Sequence, residues 1–294
     1  MVPAYRAAVS GMDSARQPAV AGRFYVRNEA PLREQVEGMF THAVGPGSVP
    51  TATAGSPEIA GLVAPHAGLP FSGPVAAHSY AALAESGTPE TVVILGPNHT
   101  GVGAAVAVPG DDEWRTPLGS VQIDADLREQ IVDSTDATVD DRAHASEHAA
   151  EVQLPFLQYL YDDLAVLPIS LRRQDADVSR QLGEALAAHT DEETVVIASS
   201  DFTHYEPHDV AIERDELALD RIEANDPAGL IETVEREGLS VCGYGAIAAM
   251  LWANGEDSQV DVFAHATSGD TAGSRDDVVG YASVAVRDGA SDAA

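Results

Sequence analysis

Three short apolar runs in this chain each end in a turn that carries a histidine, and that repetition constrains the fold more than any other feature. Leu62-Val63-Ala64 runs into Pro65-His66-Ala67-Gly68, and Val92 to Leu95 runs into Gly96-Pro97-Asn98-His99. Val195 to Ala198 runs into Ser199-Ser200-Asp201-Phe202-Thr203-His204. Runs this short and rich in branched residues read as buried strands. In an open α/β sheet the loops leaving the carboxyl ends of the strands converge on one crevice, where ligands bind. Imidazoles delivered there by three strands predict a metal or acid/base site.

Helical periodicity recurs at 32–42, 73–85, 147–160, 178–189, 210–224, 227–237 and 243–252, the third interrupted by Pro155. Further strands are expected at 104–108, 120–123, 165–169, 260–266 and 278–287. The alternation predicts a single α/β domain with a central sheet flanked by helices. We expect an extension over 1–17, with Met12 an alternative start, a domain over 18–287 and a tail over 288–294.

Charge removes some functions. Forty-seven acids face sixteen basic residues, all arginine, for a formal net charge of −31. Such a surface repels itself in dilute salt, and at molar salt the screening length falls to about 3 Å. The acids are dispersed, so the composition reads as adaptation to concentrated salt, in a halophilic host, rather than as a cation-binding block. Nucleic acid is disfavoured as a partner because basic patches are missing. No apolar run approaches the roughly 20 residues that cross a bilayer. One cysteine and no signal-peptide pattern predict a cytoplasmic protein. Walker, GxGxxG, CxxC and GxSxG patterns are missing as well.

Several side chains remain as candidates for chemistry. His66 and His99 sit in proline- and glycine-bounded turns, as a ligand or as a turn-capping imidazole. Cys242 precedes the glycines where the 243–252 helix begins, and a helix amino terminus favours the thiolate; a lone cysteine is otherwise a small buried hydrophobe. Asp201 either orients His204 or caps a following helix. A helix over 147–160 extended back to His144 would place His144, His148 and Glu151 on one face, with His148 and Glu151 the better candidates.

Taken together, these segments resemble the Memo family, known in microbes as protein B of the AmmeMemoRadiSam system. The resemblance rests on Pro18-Ala-Val-Ala-Gly-Arg-Phe-Tyr25, Ala64-Pro-His-Ala-Gly68 with Phe71-Ser-Gly73, and Ile94-Leu-Gly-Pro-Asn-His99. It continues through Thr116-Pro-Leu-Gly119, Glu147-His-Ala-Ala-Glu-Val-Gln-Leu-Pro155, Ser199-Ser-Asp-Phe-Thr-His-Tyr205 and Cys242-Gly-Tyr-Gly245. It implies a fold similar to the class III extradiol, non-haem iron dioxygenases. It also implies a metal site of His66, His99 and Cys242, with His148, Asp201 and His204 lining the pocket as catalytic groups. A cysteine replaces the carboxylate of that dioxygenase class, which points to iron or copper in a redox role, with zinc a third option. The alternatives are a non-catalytic module for a peptide or small molecule, and a true extradiol-type dioxygenase. AMMECR-domain and radical-SAM partners follow from the system's name.

Overall fold

The strands expected at 62–64, 92–95 and 195–198 form the middle of one twelve-stranded sheet. A computed structural model describes residues 14–287. Its strands are β1 (Ala15–Arg16), β2 (Ile59–Ala64), β3 (Thr91–Pro97), β4 (Val106–Val108), β5 (Glu113–Thr116) and β6 (Gly119–Ile123). They continue with β7 (Thr138–Val139), β8 (Ala165–Leu171), β9 (Thr194–Ser199), β10 (His204–Glu206), β11 (Gln259–Thr267) and β12 (Val278–Arg287). The main path runs β1-β5-β6-β8-β3-β9-β2-β12-β10, with β11 on β12 and β4 on β8. From β6 to β2 every neighbour is parallel, so the carboxyl ends of β3, β9 and β2 lie side by side. That adjacency turns three histidine-bearing loops into one site.

Burial explains the parallel centre. Val92 to Leu95, Val195 to Ala198 and Leu62 to Ala64 are all buried, as strands covered by helices on both faces must be. Each fully buried Val, Leu or Ile contributes about 1.5–3 kcal/mol relative to exposure. The long helices are α1 (Glu29–Phe40), α2 (Leu69–Ser86), α3 (Ala125–Ser134), α6 (Ala176–His189), α7 (His208–Glu223), α8 (Pro227–Glu237) and α9 (Tyr244–Asn254). Short helices α4 (Asp141–His144), α5 (Leu154–Leu160) and α10 (Ser268–Thr271) fill the connections. Asp124, Asp175 and Asp226 cap α3, α6 and α8 by accepting N–H groups of Leu127, Val178 and Gly229. Such caps are worth about 1 kcal/mol each. Among the described residues, no helix is long and apolar enough to cross a membrane.

Three local readings differ from expectation. The helix expected over 147–160 is a turn, a 3₁₀ segment at Glu151–Gln153 and then α5. Its first residues cannot continue α4, because Glu147 Oε1 accepts the N–H groups of His148 and Ala149 at 2.8 and 3.1 Å; such local bonds compete with a helix. Ordered structure also starts earlier than Pro18. Ala15–Arg16 pairs with β5, and Arg16 is buried on Glu151 at 2.7 Å. Finally, α3 and β5 carry too few apolar positions to have been read from the sequence, with only Leu127 and Ile131 buried in α3. Residues 1–13 of the expected extension and the 288–294 tail lie outside the described residues.

Candidate metal centre

The donor atoms of His66, His99 and His148 lie within 4.8 Å of one another. His66 stands on the loop after β2, His99 on the loop after β3, and His148 on the turn before the 3₁₀ segment. Their rings pack edge to face for His66 with each of the others, at 5.1 and 5.3 Å, and stack for His99 on His148 at 4.5 Å. Gly96 makes the convergence possible: a Cβ there would meet the Cβ of Ala149 at 2.8 Å. The His148 turn therefore rests directly on the end of β3. The cluster grades outward from buried His66 through His148 to exposed His99.

Hydrogen bonds set the tautomer of each ring. Ser199 Oγ donates to the Ala149 carbonyl at 2.7 Å and receives Gln153 Nε2 at 2.7 Å. Its single proton is spent, so it accepts from His66 Nδ1 at 2.9 Å. Gln153 is itself oriented by the Tyr80 hydroxyl, which donates to Oε1 at 2.6 Å, and by the Ala64 and Pro65 carbonyls. Glu147 performs the same task for the other two rings. Its Oε1 lies 2.8 Å from His99 Nδ1 and 3.2 Å from His148 Nδ1, while Oε2 takes the His99 N–H at 2.5 Å. A carboxylate only accepts, so both Nδ1 atoms carry protons. All three Nε2 lone pairs are then left for the centre, the arrangement in which outer acceptors orient metal-binding imidazoles.

Electrostatics agree with that protonation. Burial, then the neighbouring His99 and His148, hold His66 well below the usual imidazole value, so it stays neutral. Burial alone would raise the Glu147 carboxyl, but hydrogen bonds from His148 and His99 reverse this and hold it below the usual carboxylate range. The carboxylate is thereby fixed between the rings of His99 and His148.

The remaining sequence candidates take other places. Cys242 Sγ lies outside the mutual 4.8 Å group but touches it, 3.3 Å from His66 Nε2. The expected helix-end effect on its thiol is overturned: burial, then the Asp201 carboxylate, push the pKa up rather than down. Asp201 caps no helix, since β10 follows it. Its Oδ1 instead accepts the His66 and Ala67 N–H groups at 2.8 and 3.2 Å, clamping the His66 turn. Burial raises its carboxyl against these bonds. His204 is held through Nδ1 on the Ser240 carbonyl at 3.0 Å, which leaves its Nε2 unengaged at the half-exposed edge. His148, expected as a proton carrier, joins the cluster itself.

His144 and Glu151 face away from the centre. His144 is buried against Trp114, with Nε2 on the Ala107 carbonyl at 3.1 Å. Burial and Arg16 lower its pKa to about 4. Glu151 binds Arg16, the Ala19 and Val20 N–H groups and the Tyr25 hydroxyl. Sequence reasoning missed Glu147, Ser199 and Gln153. The available signal was a run of polar residues, Glu147-His148 and Gln153, inside an otherwise apolar segment.

A family model described as Memo-like protein matches residues 16–285. A MEMO1 family protein of Methanopyrus kandleri is 51% identical over 281 residues, covering 93% of this chain and 99% of its own. MEMO1 family proteins of Metallosphaera sedula and Sulfolobus acidocaldarius are each 45% identical, covering 90% and 92% of this chain and 97% and 98% of their own. Among solved structures, an uncharacterized protein from Escherichia coli K12 matches with a TM-score of 0.56 at 15% identity, over 77% of this chain and 99% of that one. That likeness concerns the fold alone.

Proposed function

Because the chain belongs to the Memo family, whose fold is related to that of the class III extradiol dioxygenases, we propose that it is a metal-dependent redox protein centred on His66, His99 and His148. One observation carries the reading: one donor atom from each of the three rings lies within 4.8 Å of the others, while each Nδ1 stands against an oxygen acceptor. Neutral imidazoles suit iron, copper and zinc alike. Cys242 is the fourth donor in this reading, supported by its sulfur lying against His66 Nε2. Its raised pKa means that a bound cation must displace the thiol proton. A thiolate softens the donor set toward iron or copper, the metals we assign.

When bound, such a metal supplies Lewis acidity and a one-electron couple. The chain's own groups do the rest. Glu147 and Ser199 keep the Nδ1 protons in place, and Asp201 fixes the His66 turn. His204, with Nε2 unengaged, is the group placed to carry protons at the edge. A cytoplasmic setting, a halophilic host and AMMECR-domain and radical-SAM partners belong to this proposal too; composition and the family's system name support them.

Metal analysis of anaerobically purified protein tests the reading, with His66→Ala, His99→Ala, His148→Ala and Cys242→Ala beside wild type. We expect stoichiometric iron or copper in wild type and loss in each histidine variant. A wild type that refuses iron, copper and zinc removes the proposal. Full metal retention in Cys242→Ala removes the sulfur ligand alone.

A further inference from the structure

The segment Ser199 to His204 serves the cluster from two points. Ser199 accepts from His66 Nδ1, and Asp201 clamps the His66 turn while its own N–H lies 3.2 Å from Cys242 Sγ. The place of such a segment depends on where each of its N–H groups is spent. Ser200 donates to the Ala64 carbonyl at 3.0 Å, and Phe202 to the Gly280 carbonyl at 2.9 Å. His204 donates to Ser240 Oγ at 2.9 Å. The Thr203 N–H crosses to helix α7 and donates to Asp215 Oδ1 at 2.8 Å.

Asp215 is out of place by local rules. It sits in the middle of α7, on the buried stripe of Ala211, Ala218, Leu219 and Ile222, and is itself fully buried. Aspartate is a weak helix former, and a carboxylate taken out of water needs a partner. His265 of β11 supplies one, its Nε2 donating to Oδ2 at 3.2 Å. Gly280 of β12 supplies the room, since a Cβ there would overlap Oδ2. The Gly280 N–H then donates to the Thr203 carbonyl at 2.8 Å. Thus α7 and β12 grip Thr203 from either side of its peptide unit, and β11 braces the carboxylate that does so.

Docking α7 requires no buried carboxylate. Its apolar stripe packs inward, and His208 Nδ1 already stands 2.9 Å from Thr267 Oγ1 of β11. What Asp215 adds is an acceptor for Thr203. We propose that Asp215, braced by His265, is a positioning residue of the metal centre: it fixes the 200–204 segment and, through Asp201, the His66 turn and the Cys242 sulfur. The proposal rests on the metal-centre reading for what the segment serves. Without Asp215 the buried Thr203 N–H has lost its partner, a cost that the segment relieves by opening toward water. Opening draws the Asp201 carbonyl away from Cys242, whose N–H and thiol it accepts at 3.1 and 3.4 Å.

Cys242 is the single cysteine of the chain, so its alkylation by iodoacetamide in native, metal-free protein reads the segment directly. Iron(II) affinity, from competition with a metal-sensitive dye, reads the cluster. D215A should be alkylated about tenfold faster than wild type and should bind iron about tenfold more weakly. D215N keeps the Oδ1 acceptor and should return both to near wild type. H265A removes the brace alone and should move both in the same direction by less; it decides the matter if D215A does not fold, and wild-type values in it then overturn the proposal. E151Q, which changes a buried carboxylate away from this segment, should be alkylated at the wild-type rate. A wild-type alkylation rate or iron affinity in D215A overturns the proposal, as does failure of D215N to rescue. Equally fast alkylation of E151Q also overturns it, because overall stability would then be the cause. If wild type takes up no iron yet D215A still speeds alkylation, the metal reading fails and the brace stands.

Discussion

Glu147 and Glu151 stand four residues apart on one segment, both buried, and the chain treats them in opposite ways. Glu151 is neutralised from within: Arg16 meets it at 2.7 Å, and the Tyr25 hydroxyl and two backbone N–H groups complete its shell. Glu147 meets no arginine among the described residues; its donors are His99, His148 and backbone amides. Burying a charge without a counter-charge is costly. The difference separates a carboxylate paired within the fold from one that serves a cluster able to hold a cation. Glu151 is a structural pin, and Glu147 orients two rings of the cluster that could hold a metal.

The largest effect that would break this contrast is on stability. Glu151→Gln leaves Arg16 buried without its partner, so denaturant unfolding should show a loss of about 3–5 kcal/mol. Metal bound per folded molecule should stay as in wild type; selective metal loss would erase the distinction.

Acid should act on the pinned side through His144. Its folded pKa of about 4 lies below the unfolded value of 6.5, so the unfolded chain takes up a proton that the folded chain refuses. Stability contributed by neutral His144 is full above pH 6.5 and falls as pH drops toward 4, by on the order of 3 kcal/mol. His144→Asn should flatten the pH profile of unfolding over that window. An unchanged slope would place the acid sensitivity elsewhere.

On the open side, Glu147→Gln should lower metal affinity about 10–100-fold, the usual cost of losing an orienting carboxylate. The metal-free variant should also unfold more easily than wild type at neutral pH, since a carboxyl held below its usual range stabilises the fold in its ionised form. Ser199→Ala gives the smallest change. It frees the Nδ1 side of His66 and should weaken metal binding by about 1 kcal/mol, the worth of one buried hydrogen bond. Competition against a metal-sensitive dye reads both.

The same contrast shows what the sequence made legible. The central strands could be read because Val92 to Leu95 and Val195 to Ala198 have no polar interruption, and burial on both faces demands that. The histidines at their ends could be read because parallel strands open on one edge. The Glu147 segment could not be read correctly. Its letters suit a helix, and only the carboxylate folding back onto its own backbone at His148 and Ala149 prevents one. The direction of the Cys242 thiol shift was also hidden. It depends on burial first and then on the Asp201 carboxylate, 41 positions away in the chain. Polar elements such as α3 left too weak a pattern to detect.

The position of β12 has a consequence for how the protein is made. It is the last strand, yet it lies between β2 and β11 and holds the Asp201 loop: Phe202 donates to the Gly280 carbonyl, and Gly280 donates back to Thr203 at 2.8 Å. A growing polypeptide on the ribosome has already exposed all three cluster histidines when Gly280 is still unmade. The loop that clamps His66 then has no strand to rest on. Assembly of the cluster is therefore deferred until β12 has been made. A truncated product ending before β12 carries every histidine of the cluster and still lacks the scaffold that holds the Asp201 clamp.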